Sequence, residues 1–266
     1  MNLVDTHVHV FTQDLPMLAA RRYTPAYDAT LEDYREHGAR AGITHTVLVQ
    51  PSFLGFDNSH MLAALRRDPQ RLRGVAVLPV DTPAAALDTL QRDGVVGVRL
   101  NLDGLALPPL HAPAWRVFLT ELARRDMLVE LHRAAIDLPA LVPALLDAGV
   151  RVLVDHFGRP DDLLGRHDPG FQYLLSQAKT GRVWVKLAAG YRNGWTSADA
   201  QTAVEISVEL LAHFGSGHLV WGSDWPHTRH EHQSIAGALT ALEHGVPEPA
   251  QRQEILGTTA MRLFGF

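Results

Sequence analysis

Short apolar runs rich in valine alternate along the chain with longer segments in which apolar residues recur at helical spacing. Several of the short runs lack alternation between apolar and polar positions, which is typical of strands covered on both faces. A parallel sheet with a helix between successive strands is therefore expected. The eight predicted strands are 3–10, 46–50, 74–80, 95–101, 128–132, 150–155, 183–187 and 219–222.

The segments between the strands carry signals for the start and the end of helices. Thr30 opens a Thr-Leu-Glu-Asp sequence that is close to a capping box, and Gly42 lies near the predicted end of that helix. Thr82 is a predicted N-cap that places Pro83 at the first helical position, and Pro113 is predicted to open another helix. Later helices are predicted at 200–213, 234–242 and 249–256.

Strict alternation of strands and helices implies parallel strands joined by right-handed crossovers. Eight such units within 266 residues favour an α/β fold of the single (β/α)8 TIM barrel type. An open α/β sheet is the alternative, although the chain holds no G-x-G-x-x-G or Walker A sequence that would support nucleotide binding. Without a long linker or a low-complexity segment, residues 1–266 are expected to form one domain.

Composition narrows the chemistry open to such a barrel. The chain has no cysteine and 15 histidines, so any metal would be held by histidine and carboxylate rather than by thiolate. The net charge of −5 and the pI near 6.3 argue against nucleic-acid binding. No apolar stretch reaches the roughly 20 residues of a membrane span. Because Met1 leads directly into a strand-like segment, we expect a cytoplasmic protein with neither nucleic-acid nor membrane partners.

The active site of a (β/α)8 barrel lies at the carboxyl ends of its strands, so polar residues at those ends are the candidates. His7 and His9 end the first strand, and residues two apart on a strand point the same way. An isolated H-x-H pair is more often a packed strand end, but the other strand ends are polar too. These further candidates are Ser52, Arg99, His132, His156, Arg192 and Asp224.

A single divalent metal such as zinc has one plausible ligand set, namely His7, His9, His156 and Asp224. The same groups could also work without a metal, the carboxylate as general base toward water and the imidazoles as donors to a developing oxyanion. Spacing alone does not separate these options. The only lysines are Lys179, before the seventh strand, and Lys186, inside it. A two-metal centre bridged by a carboxylated lysine after the fourth strand is therefore excluded.

Three segments together resemble the amidohydrolase superfamily, and more narrowly its branch of 2-pyrone-4,6-dicarboxylate lactonase and related sugar lactonases. They are V-D-T-H-V-H at 4–9, V-D-H-F-G-R-P at 154–160 and W-G-S-D-W-P-H at 221–227. Shorter stretches at 22–25, 49–52, 55–58 and 97–101 match as well, so the resemblance covers nearly the whole chain. The second and third segments are specific in combination, whereas H-x-H alone is weak.

The resemblance implies a catabolic hydrolase that opens the ring of a small carboxylated or sugar-derived lactone and requires no metal. Asp224 would deprotonate the attacking water. Three histidines would polarise the lactone carbonyl, namely His7, His9 and His156. A small-molecule lactone is the expected partner, and a homo-oligomer is left open.

Substrate contacts are implied for six further residues, namely Tyr23, Ser52, Arg99, His132, Arg192 and His227. For Arg99 a salt bridge inside the barrel is the alternative, and for Tyr23 a packing role. His132 would be a further ligand, a substrate contact or a packed core histidine. His227 would either orient Asp224 or cap its loop. Ten other histidines, among them His37, His45, His60, His230 and His232, are expected to be surface or packing residues.

One departure from the family pattern bears on the substrate. After the strand-4 arginine the pyrone lactonase has a basic stretch, whereas this chain has N-L-D-G-L at 101–105. Asp103 would repel a substrate carboxylate unless Arg133 or Arg229 compensates. This departure argues against the pyrone dicarboxylate itself and makes a monocarboxylate or neutral sugar lactone competitive.

Two other functions compete with lactone hydrolysis. Related barrels use an H-x-H pair, a later histidine and a strand-8 aspartate around one zinc to decarboxylate their substrates. A non-catalytic binder of small molecules is the third alternative, but unpaired polar groups in an apolar barrel are costly without a task.

Overall fold

The structure is a computed structural model that describes residues 2–195 and 200–266. One parallel sheet contains eight strands paired in chain order, so each strand neighbours the next one in the sequence. The strands are β1 (Val4–Val8), β2 (His45–Val49), β3 (Leu72–Ala76), β4 (Val95–Asn101), β5 (Leu128–His132), β6 (Val152–Val154), β7 (Val183–Leu187) and β8 (Leu219–Trp221).

Helices follow the strands and cover the outside of the sheet. They are α1 (Leu31–Arg40), α2 (Ser59–Arg67), α3 (Ala84–Arg92), α4 (Pro113–Arg124), α5 (Leu138–Asp147), α6 (Pro169–Ser176), α7 (Ala200–Phe214), α8 (Ile235–Gly245), α9 (Pro249–Gln253) and α10 (Ala260–Phe264). A π-helical segment, Glu254–Thr259, joins the last two. Within the described residues, no helix has the length and apolar character that crossing a membrane requires.

The chain that follows β8 closes the sheet against β1. The Asp224 N–H donates to the carbonyl of His7 at 2.9 Å, and the His9 N–H donates to the carbonyl of Trp225 at 2.9 Å. The Thr6 hydroxyl adds a bond to the carbonyl of Trp221 at 2.8 Å. These contacts complete a (β/α)8 TIM barrel, which confirms the predicted fold class.

Asp5 fastens the same seam from inside the protein. Its fully buried carboxylate accepts hydrogen bonds from the Ser223 N–H at 2.8 Å and the Ser223 hydroxyl at 2.5 Å. The Tyr34 hydroxyl and the His7 N–H supply two more donors, at 3.1 and 3.2 Å. Burial raises the pKa of Asp5 to about 6, although the hydrogen bonds from Ser223 and the other donors act to lower it.

The barrel interior is layered. Leu128, Leu153 and Trp184 belong to an apolar cluster that Leu263 and Phe264 of α10 also join. Residues two further along the same chain segments point the same way and are charged. They are Glu130, Asp155 and Lys186, each fully buried. An apolar layer therefore supports a charged layer beneath the carboxyl ends of the strands.

Several element boundaries differ from the predicted ones by one to four residues. The strand predicted at 74–80 lies at Leu72–Ala76, because the Val77 N–H leaves the sheet and donates to the Asn58 side chain at 3.1 Å. Pro83, not Thr82, is the N-cap of α3, because the Thr82 hydroxyl donates to the Pro79 carbonyl instead. The other strands that differ are β1, β2, β6 and β8.

Other helix starts agree with the sequence analysis. Thr30 caps α1 in a full capping box with Asp33, and Ser234 caps α8. Pro113 is the first residue of α4.

Candidate active site

A cavity of about 240 Å³ lies at the carboxyl ends of the strands. Eight of the ten predicted site residues line it, while His7 and His227 lie directly behind the lining. The fifteen lining residues are His9, Arg22, Tyr23, Ser52, Arg99, Asn101, Asp103, His132, His156, Arg159, Tyr191, Arg192, Asp224, Arg229 and His230.

Asp224 has one oxygen that is fully bonded and one that is free. Oδ2 accepts from the Tyr191 hydroxyl at 2.7 Å and from Arg192 Nε at 2.7 Å. Oδ1 has no hydrogen-bond partner among the described residues, and it lies 3.5 Å from His7 Nε2 and 3.6 Å from His9 Nε2. Burial acts to raise the pKa of Asp224, but the charge of the neighbouring Arg192 outweighs it and holds the pKa well below its usual value. Asp224 is therefore an ionised carboxylate with an oxygen available to a proton.

His9 and His156 are oriented by backbone carbonyls. His9 Nδ1 lies 2.7 Å from the Val49 carbonyl, and His156 Nδ1 lies 3.2 Å from the Ala188 carbonyl. Since a carbonyl can only accept, each Nδ1 carries the hydrogen and each Nε2 keeps its lone pair when the ring is neutral. Burial lowers the pKa of His156 to about 3, so this ring is neutral near pH 7.

His7 is oriented differently, by a lysine. Its Nδ1 lies 2.8 Å from Lys186 Nζ, whereas its Nε2 has no hydrogen-bond partner among the described residues. Lys186 also lies 2.6 Å from Glu130 Oε2 and 3.1 Å from Asp155 Oδ1. The lysine is therefore part of the charged layer beneath the site. The sequence places Lys186 in a strand but does not predict its contact with His7.

Arg99 belongs to the same charged layer. It donates to Asp155 Oδ2 through Nε at 3.0 Å and through Nη2 at 2.7 Å, and its Nε lies 3.2 Å from Glu130 Oε1. Burial, together with the neighbouring Asp155, raises the pKa of Glu130 to about 7. The salt bridge considered as the alternative for Arg99 is thus present, although the side chain also reaches the cavity.

A metal ion has two geometrically possible sites in the described part of the chain. One group is His7, Asp155 and His156, and the other is His7, His9 and Asp224. Both depend on His7. Because the Lys186 ammonium can only donate, His7 Nδ1 accepts and the hydrogen lies on Nε2. Neither ring nitrogen of His7 then has a lone pair for a cation, so these residues as arranged do not fit a metal.

Asp103 lies between two arginines at the rim of the cavity. Arg22 forms an ion pair with one of its oxygens, and Arg159 Nη1 donates to the other at 2.9 Å. Arg133 and Arg229, the two residues considered as compensating charges, do not pair with Asp103. Arg133 is held by Asp137 at 2.6 Å, and Arg229 lines the cavity without an ion pair to any described residue.

His132 is saturated by its neighbours. Its Nδ1 lies 3.0 Å from Asn101 Oδ1, and its Nε2 lies 2.8 Å from Arg159 Nη1. The arginine can only donate, so His132 Nε2 accepts and its Nδ1 donates to Asn101. His132 therefore positions Arg159 at the rim.

His227 is linked to Asp224 through the Tyr191 hydroxyl. The Tyr191 hydroxyl lies 2.7 Å from Asp224 Oδ2 and 3.2 Å from His227 Nδ1. His230 stacks on the other side of this network, with its ring centroid 4.5 Å from that of Tyr191. Tyr191 is not among the predicted site residues, and His230, expected to be a surface or packing residue, lines the cavity.

Tyr23 and Ser52 lie in the part of the rim formed by the earlier strands. The Tyr23 ring packs edge-on against Phe53, with centroids 5.5 Å apart, while the residue still lines the cavity. Both roles considered for Tyr23 are therefore compatible with its position.

Backbone strain is concentrated at this end of the barrel. Eight described non-glycine residues have positive φ, a conformation that costs about 1–2 kcal/mol for a residue with a Cβ atom. Seven of them lie in loops after β6, β7 and β8, namely His156, Phe157, Arg159, Ala189, Asp224, His227 and Arg229.

Known proteins with similar sequences identify the class. The amidohydrolase family profile matches residues 4–266. A 4-sulfomuconolactone hydrolase of Rhizobium radiobacter is 31% identical over 98% of this chain and 89% of its own length. A 2-pyrone-4,6-dicarboxylate hydrolase of Comamonas testosteroni is 29% identical with the same coverage, 98% and 89%. A crystal structure from Acinetobacter baumannii, described as a "probable 2-pyrone-4,6-dicarboxylic acid hydrolase", superposes with a TM-score of 0.96 at 39% identity, covering 100% of both chains.

The barrel and its polar rim define an enzyme site. The chain belongs to the amidohydrolase family, which confirms the resemblance found in the sequence. Since its named relatives are lactone hydrolases, the predicted assignment to the hydrolases is confirmed as well.

Proposed function

We propose that this enzyme hydrolyses a small lactone carrying one or more acidic groups, with Asp224 as the general base. The observation that carries the substrate class is the charge of the cavity. Five arginines line it, and Arg99 among them is paired with Asp155 and Glu130; the other four face two carboxylates, Asp103 and Asp224, which leaves an excess of two positive charges. Such a concave, positively charged surface attracts anions.

Asp103 is not an obstacle to an anionic substrate. Its charge is matched by Arg22 and Arg159, so a substrate acid group meets an overall cationic rim. Arginine binds carboxylates well because its planar fork donates two parallel hydrogen bonds. The related hydrolases act on a sulfomuconolactone and a pyrone dicarboxylate, and the Acinetobacter baumannii structure holds citric acid. These anions support a carboxylated or sulfonated lactone over a neutral sugar lactone.

The free oxygen of Asp224 supports its role as the base. A water hydrogen-bonded to Oδ1 transfers a proton to it while the water oxygen attacks the lactone carbonyl carbon. The negative charge that develops on the carbonyl oxygen is stabilised by the Nε2–H of His7, which lies next to Oδ1. When the ring C–O bond breaks, Asp224 returns the proton to the leaving oxygen.

The three histidines then have different tasks. His7 is the hydrogen donor to the carbonyl, whereas His9 and His156 present Nε2 lone pairs and hold the water or accept from substrate hydroxyls. No step in this mechanism passes through a metal, because the donor set does not fit one.

The test is the Asp224→Asn variant, which keeps the shape but removes the base. We expect kcat on an anionic lactone to fall about 10²–10⁴-fold. Asp81→Asn, at an exposed position, is the matched control and should retain full activity. Unchanged hydrolysis by Asp224→Asn would end the proposal.

Assays with chelator-treated and zinc-loaded enzyme separate this function from the decarboxylase alternative. The proposal expects equal lactone hydrolysis in both preparations. Zinc-dependent release of CO₂ from an aromatic carboxylate would favour the decarboxylase.

A further inference from the structure

We propose that Lys186 is a positioning residue that fixes His7 as a hydrogen-bond donor and keeps the site free of metal. That His7 donates to the lactone carbonyl oxygen rests on the proposed function. The tautomer itself follows from contacts beneath the cavity.

Lys186 Nζ has two hydrogen-bonding neighbours, Glu130 and His7, and an ionic contact with Asp155. Nζ lies 2.6 Å from Glu130 Oε2, 2.8 Å from His7 Nδ1 and 3.1 Å from Asp155 Oδ1. An ammonium has three donors and no lone pair, so each contact requires an acceptor. Lys186 is fully buried, so bulk water does not compete as an acceptor for its hydrogens. His7 Nδ1 must therefore offer its lone pair, and the ring hydrogen of neutral His7 lies on Nε2.

The alternative tautomer has poorer partners. With its hydrogen on Nδ1, His7 could donate only to Glu130 Oε1 at 3.5 Å or Asp155 Oδ1 at 3.7 Å, distances beyond a normal N–H···O bond. It would also place hydrogens of the ring and of Lys186 against each other across 2.8 Å. Burial and the charge of Lys186 lower the pKa of His7 well below its usual value, which keeps the ring neutral.

The two histidines of the H-x-H pair thus present opposite groups to the cavity. His9 Nδ1 donates to the Val49 carbonyl, so the Nε2 of a neutral His9 ring is an acceptor, while His7 Nε2 is a donor. His7 Nε2 and Asp224 Oδ1 are both unpartnered within the described residues and lie 3.5 Å apart. With this arrangement His7 can donate to a substrate carbonyl oxygen while the adjacent Asp224 carboxylate deprotonates a water.

The same arrangement opposes a cation. If Lys186 were apolar, the His7 hydrogen could move to Nδ1 and face Glu130 and Asp155, and Nε2 would join His9 Nε2 and Asp224 Oδ1 as a ligand. Lys186 therefore decides whether His7 donates to a substrate or joins His9 in binding a metal.

The first experiment uses the unaltered protein. Long-range ¹H–¹⁵N NMR spectra of protein labelled with ¹⁵N-histidine distinguish protonated from unprotonated ring nitrogens, and a His7→Asn variant assigns the His7 signals. The expected result is hydrogen on Nε2 of His7 and on Nδ1 of His9. Hydrogen on Nδ1 of His7 would overturn the proposal without any activity measurement.

The second experiment replaces the lysine. Lys186→Met should lose the preference for Nε2–H at His7, lower kcat about 10²–10³-fold with little change in KM, and bind zinc at least about 10-fold more tightly. Lys179→Met, at the exposed other lysine, should match the wild type. An Nε2–H tautomer and a wild-type kcat retained in Lys186→Met would refute the role of the lysine.

The absence of cysteine permits a chemical rescue that separates positioning from folding. Lys186→Cys is the only cysteine of its chain, and alkylation with bromoethylamine in denaturant followed by refolding rebuilds a lysine-like amine. Rescue should restore the tautomer, kcat and weak zinc binding together, and a refolded protein without them would count against the proposal. If the wild type shows Nε2–H at His7 but hydrolyses no lactone, the proposed function fails while the role of Lys186 stands.

Discussion

The buried Asp5, which joins β1 to the chain after β8, should make the free energy of unfolding depend on pH. The Asp5→Asn variant should lack this dependence. The pKa of Asp5 rises from 3.8 to about 6 because the carboxyl is fully buried. Two pKa units correspond to about 3 kcal/mol of differential stability between the two protonation states. The folded protein binds this proton more tightly than the unfolded chain, so the contribution of Asp5 is fully present below pH 3.8 and is lost as pH rises through 6.

The assay is urea unfolding of the wild type and of Asp5→Asn between pH 4 and pH 7. The stability of the wild type relative to the variant should increase by about 2–3 kcal/mol as the pH falls across this interval. The difference between the two proteins is the quantity to follow, since His156 and His227, with pKa values lowered to about 3 and about 4, destabilise both proteins at low pH. A pH-independent difference would refute the raised pKa, and Asp81→Asn should show no such trend.

Two further predictions concern the seam and the rim. Tyr34→Phe removes a donor from the buried Asp5 carboxylate and should lower the free energy of unfolding by about 1–3 kcal/mol in urea denaturation, whereas Tyr173→Phe, whose hydroxyl forms no hydrogen bond within the described chain, should change it by less than about 0.5 kcal/mol. Arg159→Met should raise KM for an anionic lactone about 10–100-fold while affecting a neutral lactone far less, and equal effects on both substrates in steady-state kinetics would contradict the anionic substrate class.

The fold was predictable because its signal is local and repeated. Eight buried valine-rich runs separated by capped amphipathic segments leave few arrangements other than parallel β/α units. Strand ends were harder to place, as at β3, because side-chain contacts such as Asn58 to Val77 decide where the ladder stops. Such contacts connect segments that the apolar pattern treats separately.

The candidate site was predictable where the topology brings strand ends together, as for His9 and Asp224. It was not predictable where charges pair across distant loops, as when Arg22 and Asp103 meet from 81 positions apart. Lys186 was overlooked because a lysine within an apolar run looks like a tolerated exception. The period of two from Trp184 carries the signal that it points into the barrel.

The positive-φ residues lie on one half of the rim, and the two halves should therefore differ in how many substitutions they tolerate. The loops after β6, β7 and β8 hold residues at the candidate site in backbone conformations that few replacement residues adopt without further strain. In the 101–107 segment, which begins at the last residue of β4, only Gly104 has a positive φ, and Asn101 and Asp103 there line the cavity. New substrate preferences should therefore arise mainly through substitutions after β4, and a library aimed at this segment should yield more folded, active variants than one of equal size after β8.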